Sequence, residues 1–172
     1  MTSMFKDCKS IYSLDLSNSN TSLVGSVGDM FNGCSSLISV NLSNLNTSQV
    51  TDMRSMFKNC SSLQYLNLSN FNTSKVEYMH EMFGYCSSLK SLNLYNFDIS
   101  HVTWMISMFY DGTSLLLLNI TNFYISQVTF ITNMFRGCSS LEYIDSENSI
   151  INITSYQNIF RGISENIIIY EI

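Results

Sequence analysis

The feature that most constrains this chain is a repeat of 26 residues, most regular between residues 60 and 86, CSSLQYLNLSNFNTSKVEYMHEMFGYC. Met-Phe pairs, cysteines and asparagines each recur at this spacing, with Gly112 where one more cysteine would fall. The asparagine series has no gap and comprises Asn18, Asn44, Asn70, Asn96, Asn122 and Asn148. A fixed period of about 20–50 residues is typical of solenoids, in which each repeat forms one coil stacked on the next.

Each repeat contains one strand pattern. Leu66 and Leu68 alternate with Tyr65 and Asn67, which is the two-residue period of a strand with one buried face. Repeats of constant length bring equivalent strands side by side, so we expect parallel pairing in register. The outward positions then include a polar column on the exposed sheet face: Asp15, Asn41, Asn67, Asn93, Asn119 and Asp145.

The second half of each repeat has apolar residues at the spacing of one helix face: Val50, Met53, Met56, Phe57 and Cys60. This spacing predicts a short helical turn. The residue before the cysteine position is mostly Gly, Asn or Asp, which tolerate the left-handed backbone that ends a helix. Tyr85 is the exception.

These patterns predict the fold class. We expect an α/β repeat solenoid of 26-residue coils, each with a short parallel strand and a short helical turn, forming one parallel sheet of about six strands. Residues 1–172 form a single repeat domain of about six coils. The first and last coils are incomplete, so we expect a fragment of a longer chain. The asparagine series is a structural ladder, whose amides bond one another or the backbone of the turns.

Composition limits the possible partners. Hydrophobic residues make up 45% of the chain, which is enough for a packed interior. Charged residues make up 12%, the net charge is −5, and the Lys and Arg residues are scattered, which argues against a nucleic-acid partner. No apolar run is long enough for a membrane span. The first ten residues, MTSMFKDCKS, lack the apolar core of a signal peptide.

No motif for catalysis or cofactor binding is present. The five cysteines form no CxxC pair, so buried free thiols are favoured over zinc ligands. His80 lies near Glu77 and Glu81, where a solvated face is favoured over a metal site. Although the chain is rich in serine, nothing marks a nucleophile elbow or an oxyanion hole. We therefore expect neither catalytic residues nor a metal or cofactor.

Two sets of exposed side chains are candidate binding residues. One set is a column on the helical side, comprising Tyr78, Trp104 and Phe130. The other lies on the sheet face and comprises Tyr65, Tyr95, Leu117 and Tyr143, with Lys90 and Glu142 at the strand edges. Aromatic and aliphatic side chains on a rigid surface suit recognition of a partner. The alternatives are mutual shielding in the first set and isolated surface residues in the second.

The unit LNLSNFNTSxV followed by MxxMFxxCSSL resembles the repeats of the BspA-type leucine-rich repeat surface proteins, and the resemblance extends from about Met4 to about Phe160. It implies a leucine-rich-repeat-like coil, although Asn70 follows Leu68 by two residues and an ordinary repeat would have three. Members of the family are mostly surface or secreted proteins of bacteria and some protists, implicated in adhesion and without enzymatic activity.

The resemblance therefore implies a non-enzymatic cell-surface or secreted module for adhesion or protein–protein interaction, with a protein or glycan as ligand. The alternative is a passive spacer in a surface stalk.

Overall fold

Short parallel strands recur along the chain at the repeat spacing. The structure is a computed structural model that describes residues 1–121, 123–146, 159, 160, 163 and 168–170. Its strands are β1 (Ser13–Asp15), β2 (Ser39–Asn41), β3 (Ser91–Asn93), β4 (Leu117–Asn119), β5 (Tyr143–Asp145) and β6 (Ile168–Tyr170). Every strand pair is parallel.

The pairing register follows the sequence repeat. Ser91 pairs with Leu117, and Leu117 pairs with Tyr143, so equivalent residues of neighbouring coils lie side by side. Tyr143 pairs with Ile168, an offset of 25, because the last repeat is one residue shorter. The predicted short parallel strand and its register are therefore confirmed in the coils that contain β1 to β6.

The prediction of one sheet of about six strands is wrong. The strands form a two-stranded sheet, β1–β2, and a four-stranded sheet, β3–β4–β5–β6. Residues 65–67, between them in the stack, have no strand pairing, although Gln64 N–H still donates to Ile38 O at 3.1 Å. Each strand has only three residues, so the loss of one or two hydrogen bonds interrupts the sheet while the coils remain stacked.

The predicted helical turn is also wrong, because the segment before each cysteine is a ladder of turns. In residues 55–60, every second N–H donates to a carbonyl of the next coil, and the others donate to the carbonyl three residues earlier. Phe57 N–H donates to Met82 O at 2.9 Å, whereas Lys58 N–H donates to Ser55 O at 3.1 Å. An α-helix would use these N–H groups internally and leave none to join the coils. Within the described residues, the structure has one 3₁₀ helix, Ile125–Gln127.

Left-handed backbone recurs at two positions in each turn ladder. In the coils where the structure describes it, the residue before the cysteine position has positive φ, as expected, and Tyr85 adopts it too, with a φ of 61°. A second column lies four residues earlier and was not predicted: Ser3, Asp29, Ser55, Glu81, Ser107 and Asn133. Each ladder thus contains two residues with left-handed backbone. These residues turn the backbone so that alternate N–H groups point at the next coil.

The interior consists of columns of equivalent side chains. In the repeat between residues 60 and 86, most apolar residues are buried, among them Leu68, Phe71, Val76, Met79, Met82, Phe83 and Cys86. Leu66 is only partly buried. Phenylalanine rings stack through successive coils with centroids 5.2–5.9 Å apart: Phe5, Phe31, Phe57, Phe83, Phe109, Phe135 and Phe160. This column joins the parts of the chain on either side of the interrupted sheet.

Candidate functional site

The outward face of the larger sheet carries a shallow groove. It runs across β3, β4 and β5, and its volume is about 280 Å³. Two columns of outward side chains line it: Ser91, Leu117 and Tyr143 in one, and Asn93, Asn119 and Asp145 in the other. Leu92 and Leu118 lie between the columns, with their side chains buried below the sheet. We refer to this feature as the sheet-face groove.

The structure brings two of the predicted sheet-face residues together in this groove, Leu117 and Tyr143. Leu117 is 51% exposed. Tyr65, which is 72% exposed, belongs to the same column of the repeat as Ser91, one coil before the groove. Tyr95 is also exposed and follows β3 by two residues.

Lys90 and Glu142 lie immediately before β3 and β5, and both are exposed. Leu116 lies between them in the stack: its N–H donates to Lys90 O, and its carbonyl accepts from Glu142 N–H. The charged side chains therefore stand at one rim of the sheet face, outside the groove lining.

The polar column of the sheet face has a structural role that the sequence analysis missed. Asn93 Oδ1 accepts the N–H of Tyr95 at 3.1 Å, and the same bond to the residue two positions later recurs along the column. The same bond is made by Asp15, Asn41, Asn67 and Asn119. In Asp15, the N–H of Ser17 holds the pKa of the carboxyl below its ordinary value. The sequence did contain a signal for this role, because Asn and Asp side chains commonly accept the backbone N–H two residues later.

Asparagines of the predicted structural ladder bond the backbone of the preceding coil and not one another. Asn44 Nδ2 donates to Ser17 O at 2.8 Å, and Asn70 Nδ2 donates to the carbonyls of Leu42 and Leu45. Asn96 continues the pattern with Leu68, Ser69 and Phe71. Asn18, in the first coil, is exposed. Asn122 and Asn148 lie outside the described residues.

Tyr78, Trp104 and Phe130 meet on the turn ladder, and we refer to them as the aromatic stripe. Their backbones form successive parallel bridges. The rings meet edge to face, with centroids 6.2 Å apart for Tyr78 and Trp104 and 5.0 Å apart for Trp104 and Phe130. His80 also contacts Trp104, at 5.6 Å between ring centroids. Because the rings cover one another's edges, the stripe presents a ridge and no flat platform.

The cysteines are free thiols within the packed interior. Four of them donate from Sγ to a phenylalanine carbonyl 29 residues earlier, at 3.0–3.2 Å: Cys34, Cys60, Cys86 and Cys138. Burial raises the pKa of the Cys34 thiol to about 11 and the pKa of Cys86 and Cys138 to about 12. These thiols are therefore protonated near neutral pH and are poor nucleophiles.

The described residues contain neither a metal-binding cluster nor a membrane-spanning helix. In that part of the chain, no group of three or more His, Cys, Asp or Glu residues is placed to hold a metal ion. No helix among these residues has the length and apolar character needed to cross a membrane.

Sequence comparison places the chain in a family. The profile of a family described as "Mycoplasma protein of unknown function, DUF285" matches residues 1–115 and, in a second overlapping match, residues 67–167. No curated protein and no solved structure matches the chain. Since the two matches extend over most of its length, the chain belongs to this Mycoplasma repeat family of unknown function, DUF285.

Proposed function

We propose that this chain is a non-enzymatic module, displayed on a cell surface or secreted, that serves adhesion and protein–protein interaction through its sheet face. One observation carries the proposal. Tyr65 and Leu117 are 72% and 51% exposed on a frame whose other large apolar residues are mostly buried. Exposed apolar side chains on a rigid surface are typical of sites that bind a partner.

The repeat motif supports the same proposal. The Leu, Asn-Thr-Ser, Met-Phe and Cys-Ser-Ser positions resemble those of the BspA-type leucine-rich repeat proteins, which are implicated in adhesion. Outward positions vary between coils while inward positions are nearly constant. Ser13, Ser39, Ser91 and Leu117, for example, occupy one outward column. Because the outward residues differ between coils while the fold stays the same, one coil can contact a partner that its neighbours do not contact.

Serine substitutions provide a test that preserves the fold. We expect Tyr65→Ser, Leu117→Ser and Tyr143→Ser, combined in one variant, to weaken binding to any partner at least tenfold. The partners are sought by biolayer interferometry on immobilised matrix proteins and glycans. Serine already occupies this column in other coils, so the variant should keep the melting temperature of the wild-type protein.

The matched control is Phe130→Ser, because Ser26 occupies the same column of the turn ladder. We expect this variant to bind as the wild-type protein does. Unchanged binding by the triple variant would reject the sheet face. Loss of binding in the control alone would assign the interaction to the aromatic stripe.

A passive spacer is the second candidate, and the continuous phenylalanine column favours it because stacked coils resist bending. A spacer binds nothing, so the sheet-face variants would behave as the wild-type protein in every binding assay. Deleting residues 63–88, one full repeat, would shorten the particle measured by small-angle X-ray scattering and leave surface display otherwise intact.

A further inference from the structure

We propose that the sheet-face groove binds a neutral, extended carbohydrate strand that lies across β3, β4 and β5, with one sugar unit over each coil. This inference rests on the proposed function and names the ligand class for that same surface. It follows from the shape of the groove, the hydrogen-bonding groups along it, its apolar side and its charge.

The shape of the groove suits a ribbon-like ligand. Its two side-chain columns are two residues apart along each strand, about 6.6 Å at the usual strand rise. The backbone of Leu92 and Leu118 forms the floor, because both side chains are buried. At about 280 Å³, the groove lies at the small end of ligand sites, which commonly measure about 300–1,000 Å³. The three sugar rings would therefore be only partly enclosed, and the groove by itself is too small for a stable protein interface, which needs about 800 Å² on each partner.

The polar column offers hydrogen bonds of the kind that sugar hydroxyl groups make. Asn93 Oδ1 is occupied by the Tyr95 N–H, which fixes the amide and leaves Nδ2 as a donor. In the described residues, this nitrogen has no protein acceptor. At the other end, Asn119 Nδ2 donates one hydrogen to Asp145 Oδ2 at 3.3 Å and has a second N–H group. An amide carries two N–H groups and a carboxylate has about four lone-pair sites, so this pair can also bond adjacent sugar hydroxyls, each of which can donate and accept.

The opposite column supplies an apolar surface. Leu117 and Tyr143 lie on this side of the groove, facing across to Asn119 and Asp145. A pyranose ring has polar edges and an apolar C–H face. The two columns thus present the two kinds of surface that one sugar ring needs, and the tyrosine ring provides apolar area with little loss of side-chain entropy.

The charge of the groove selects a neutral ligand. Its lining contains one carboxylate, Asp145, and no Lys or Arg. At the rim, Glu142 and Lys90 stand one residue before β5 and β3, and their opposite charges offset each other. Asp145 therefore leaves the surface with a net negative charge, which is unfavourable for a phosphate- or carboxylate-bearing strand.

The distance between coils matches the distance between sugar units, so the same contacts can recur along a carbohydrate chain. Parallel strands lie about 4.8 Å apart, close to the length that one hexose occupies in an extended chain. Ser91, Leu117 and Tyr143 pair in register, as do Asn93, Asn119 and Asp145. Successive sugars therefore meet equivalent positions in successive coils.

The test is isothermal titration calorimetry of the full chain with four probes. Three are neutral hexasaccharides: β-1,4-linked glucose, β-1,4-linked N-acetylglucosamine and α-1,4-linked glucose. The fourth is a hyaluronan hexasaccharide, which is acidic. We expect at least one neutral probe to bind, and the acidic probe to bind at least tenfold more weakly.

Two variants locate the site. Asn93→Asp keeps the oxygen that accepts the Tyr95 N–H but removes the Nδ2 donor, and Asp15 shows that aspartate fits this column. We expect it, and Tyr143→Ser, to weaken binding of the neutral probe at least tenfold. Asn41→Asp makes the same change outside the groove and should leave binding unaltered.

The possible outcomes separate this inference from the proposed function. If no neutral probe binds but a matrix protein does, and that binding depends on the sheet face, the carbohydrate inference fails and the adhesion proposal stands. Preference for the acidic probe, or equal effects of Asn93→Asp and Asn41→Asp, would also overturn the inference. If neither carbohydrates nor proteins bind, both fail.

Discussion

Single side chains replace backbone partners between the coils, and the Asn-Thr-Ser triplet shows how. Asn72 Oδ1 accepts the N–H of Ser74 at 3.1 Å, which shapes the turn. Thr73 is buried, and its hydroxyl donates to Asp98 O at 2.9 Å while accepting the Asp98 N–H at 2.8 Å. One hydroxyl thus satisfies a donor and an acceptor that have no strand partner. In the next coil, buried Ile99 occupies the threonine position.

We predict that Thr73→Val lowers the free energy of unfolding by about 1–3 kcal/mol. Valine keeps the shape of threonine but leaves the Asp98 N–H and carbonyl without this partner. Urea denaturation followed by circular dichroism measures the change. The control is Thr113→Val, since Thr113 is exposed and makes one long bond, 3.5 Å to Ser87 O. Equal effects of the two substitutions would contradict the bridging role.

His80 makes stability depend on pH. Burial lowers its pKa below the ordinary value of about 6.5, with smaller influences from Glu81, Arg54, Asp52 and Asp29. Its Nδ1 is buried without a hydrogen-bond partner in the described residues. Below pH 6.5 the unfolded chain binds a proton that folded His80 resists, so this residue lowers stability as pH falls. The loss is complete below the folded-state pKa.

We therefore predict that His80→Gln reduces the fall in melting temperature between pH 7.5 and pH 5. Glutamine does not titrate, so it removes the proton uptake on unfolding. The chain has only one other histidine, His101, which is exposed and serves as a matched control. His101→Gln, which changes an exposed side chain, should reduce the fall less than His80→Gln does. The burial argument for His80 fails if His101→Gln flattens the profile as much as His80→Gln does.

At the scale of elements, the sequence was sufficient to predict the strands β1 to β6, but not the missing strand at residues 65–67 and not the turn ladder. The inward spacing of Met53, Met56, Phe57 and Cys60 fits a helix face, and it equally fits turns with an inward residue every three or four positions. The difference lies in where the N–H groups point, and periodicity carries no information on that. A second column of left-handed residues was a hint, because Asp29 and Asn133 favour that conformation. The pattern was hard to recognise because Glu81 and Ser107 occupy the same column, and neither residue type favours left-handed backbone.

The sheet and its groove were predictable in part for a similar reason. Alternation placed Leu117 and Tyr143 on the outward face, and both line the groove. The groove itself depends on pairing in β3, β4 and β5 and on its interruption at residues 65–67, which the equally regular pattern of Leu66 and Leu68 does not signal. The outward asparagines were recognised as exposed, but their turn-forming bonds appear only in the structure.

The turn ladder gives a prediction about glycine. Gly33 has a φ of +80°, and an added Cβ would collide with the Asp7 carboxylate. We expect Gly33→Ala to lower the free energy of unfolding by at least about 1 kcal/mol, because left-handed backbone is unfavourable for alanine. Gly25→Ala is the control in the same coil, since its nearest atom, Gln49 O, is 3.9 Å from the added Cβ. A comparable loss of stability in Gly25→Ala would contradict this reason.

At the scale of the whole molecule, neighbouring coils contact each other through three features: the sheet, the turn ladder and the phenylalanine column. The sheet is interrupted between β2 and β3, but the turn ladder continues through that region, with Phe57 N–H bonded to Met82 O and Phe83 N–H to Met108 O. The rings of Phe57, Phe83 and Phe109 also stack without a gap. In a repeat protein, cooperativity depends on such nearest-neighbour contacts. The coils around the interrupted sheet are thus held together mainly by the turn ladder and the interior column.

We predict that Phe83→Ala splits the single urea unfolding transition into two steps, one for each side of the cavity. Removing this ring costs about 3–5 kcal/mol and opens a cavity between the parts of the stack that the sheet does not connect. Trp104, the only tryptophan, reports on the coils after the cavity by fluorescence, while circular dichroism reports on the whole chain. The two urea curves should coincide in the wild-type protein and in the control Tyr12→Ala, whose side chain is 66% exposed. They should separate in Phe83→Ala. If they still coincide at a lower midpoint, the remaining turn ladder alone is sufficient to couple the coils.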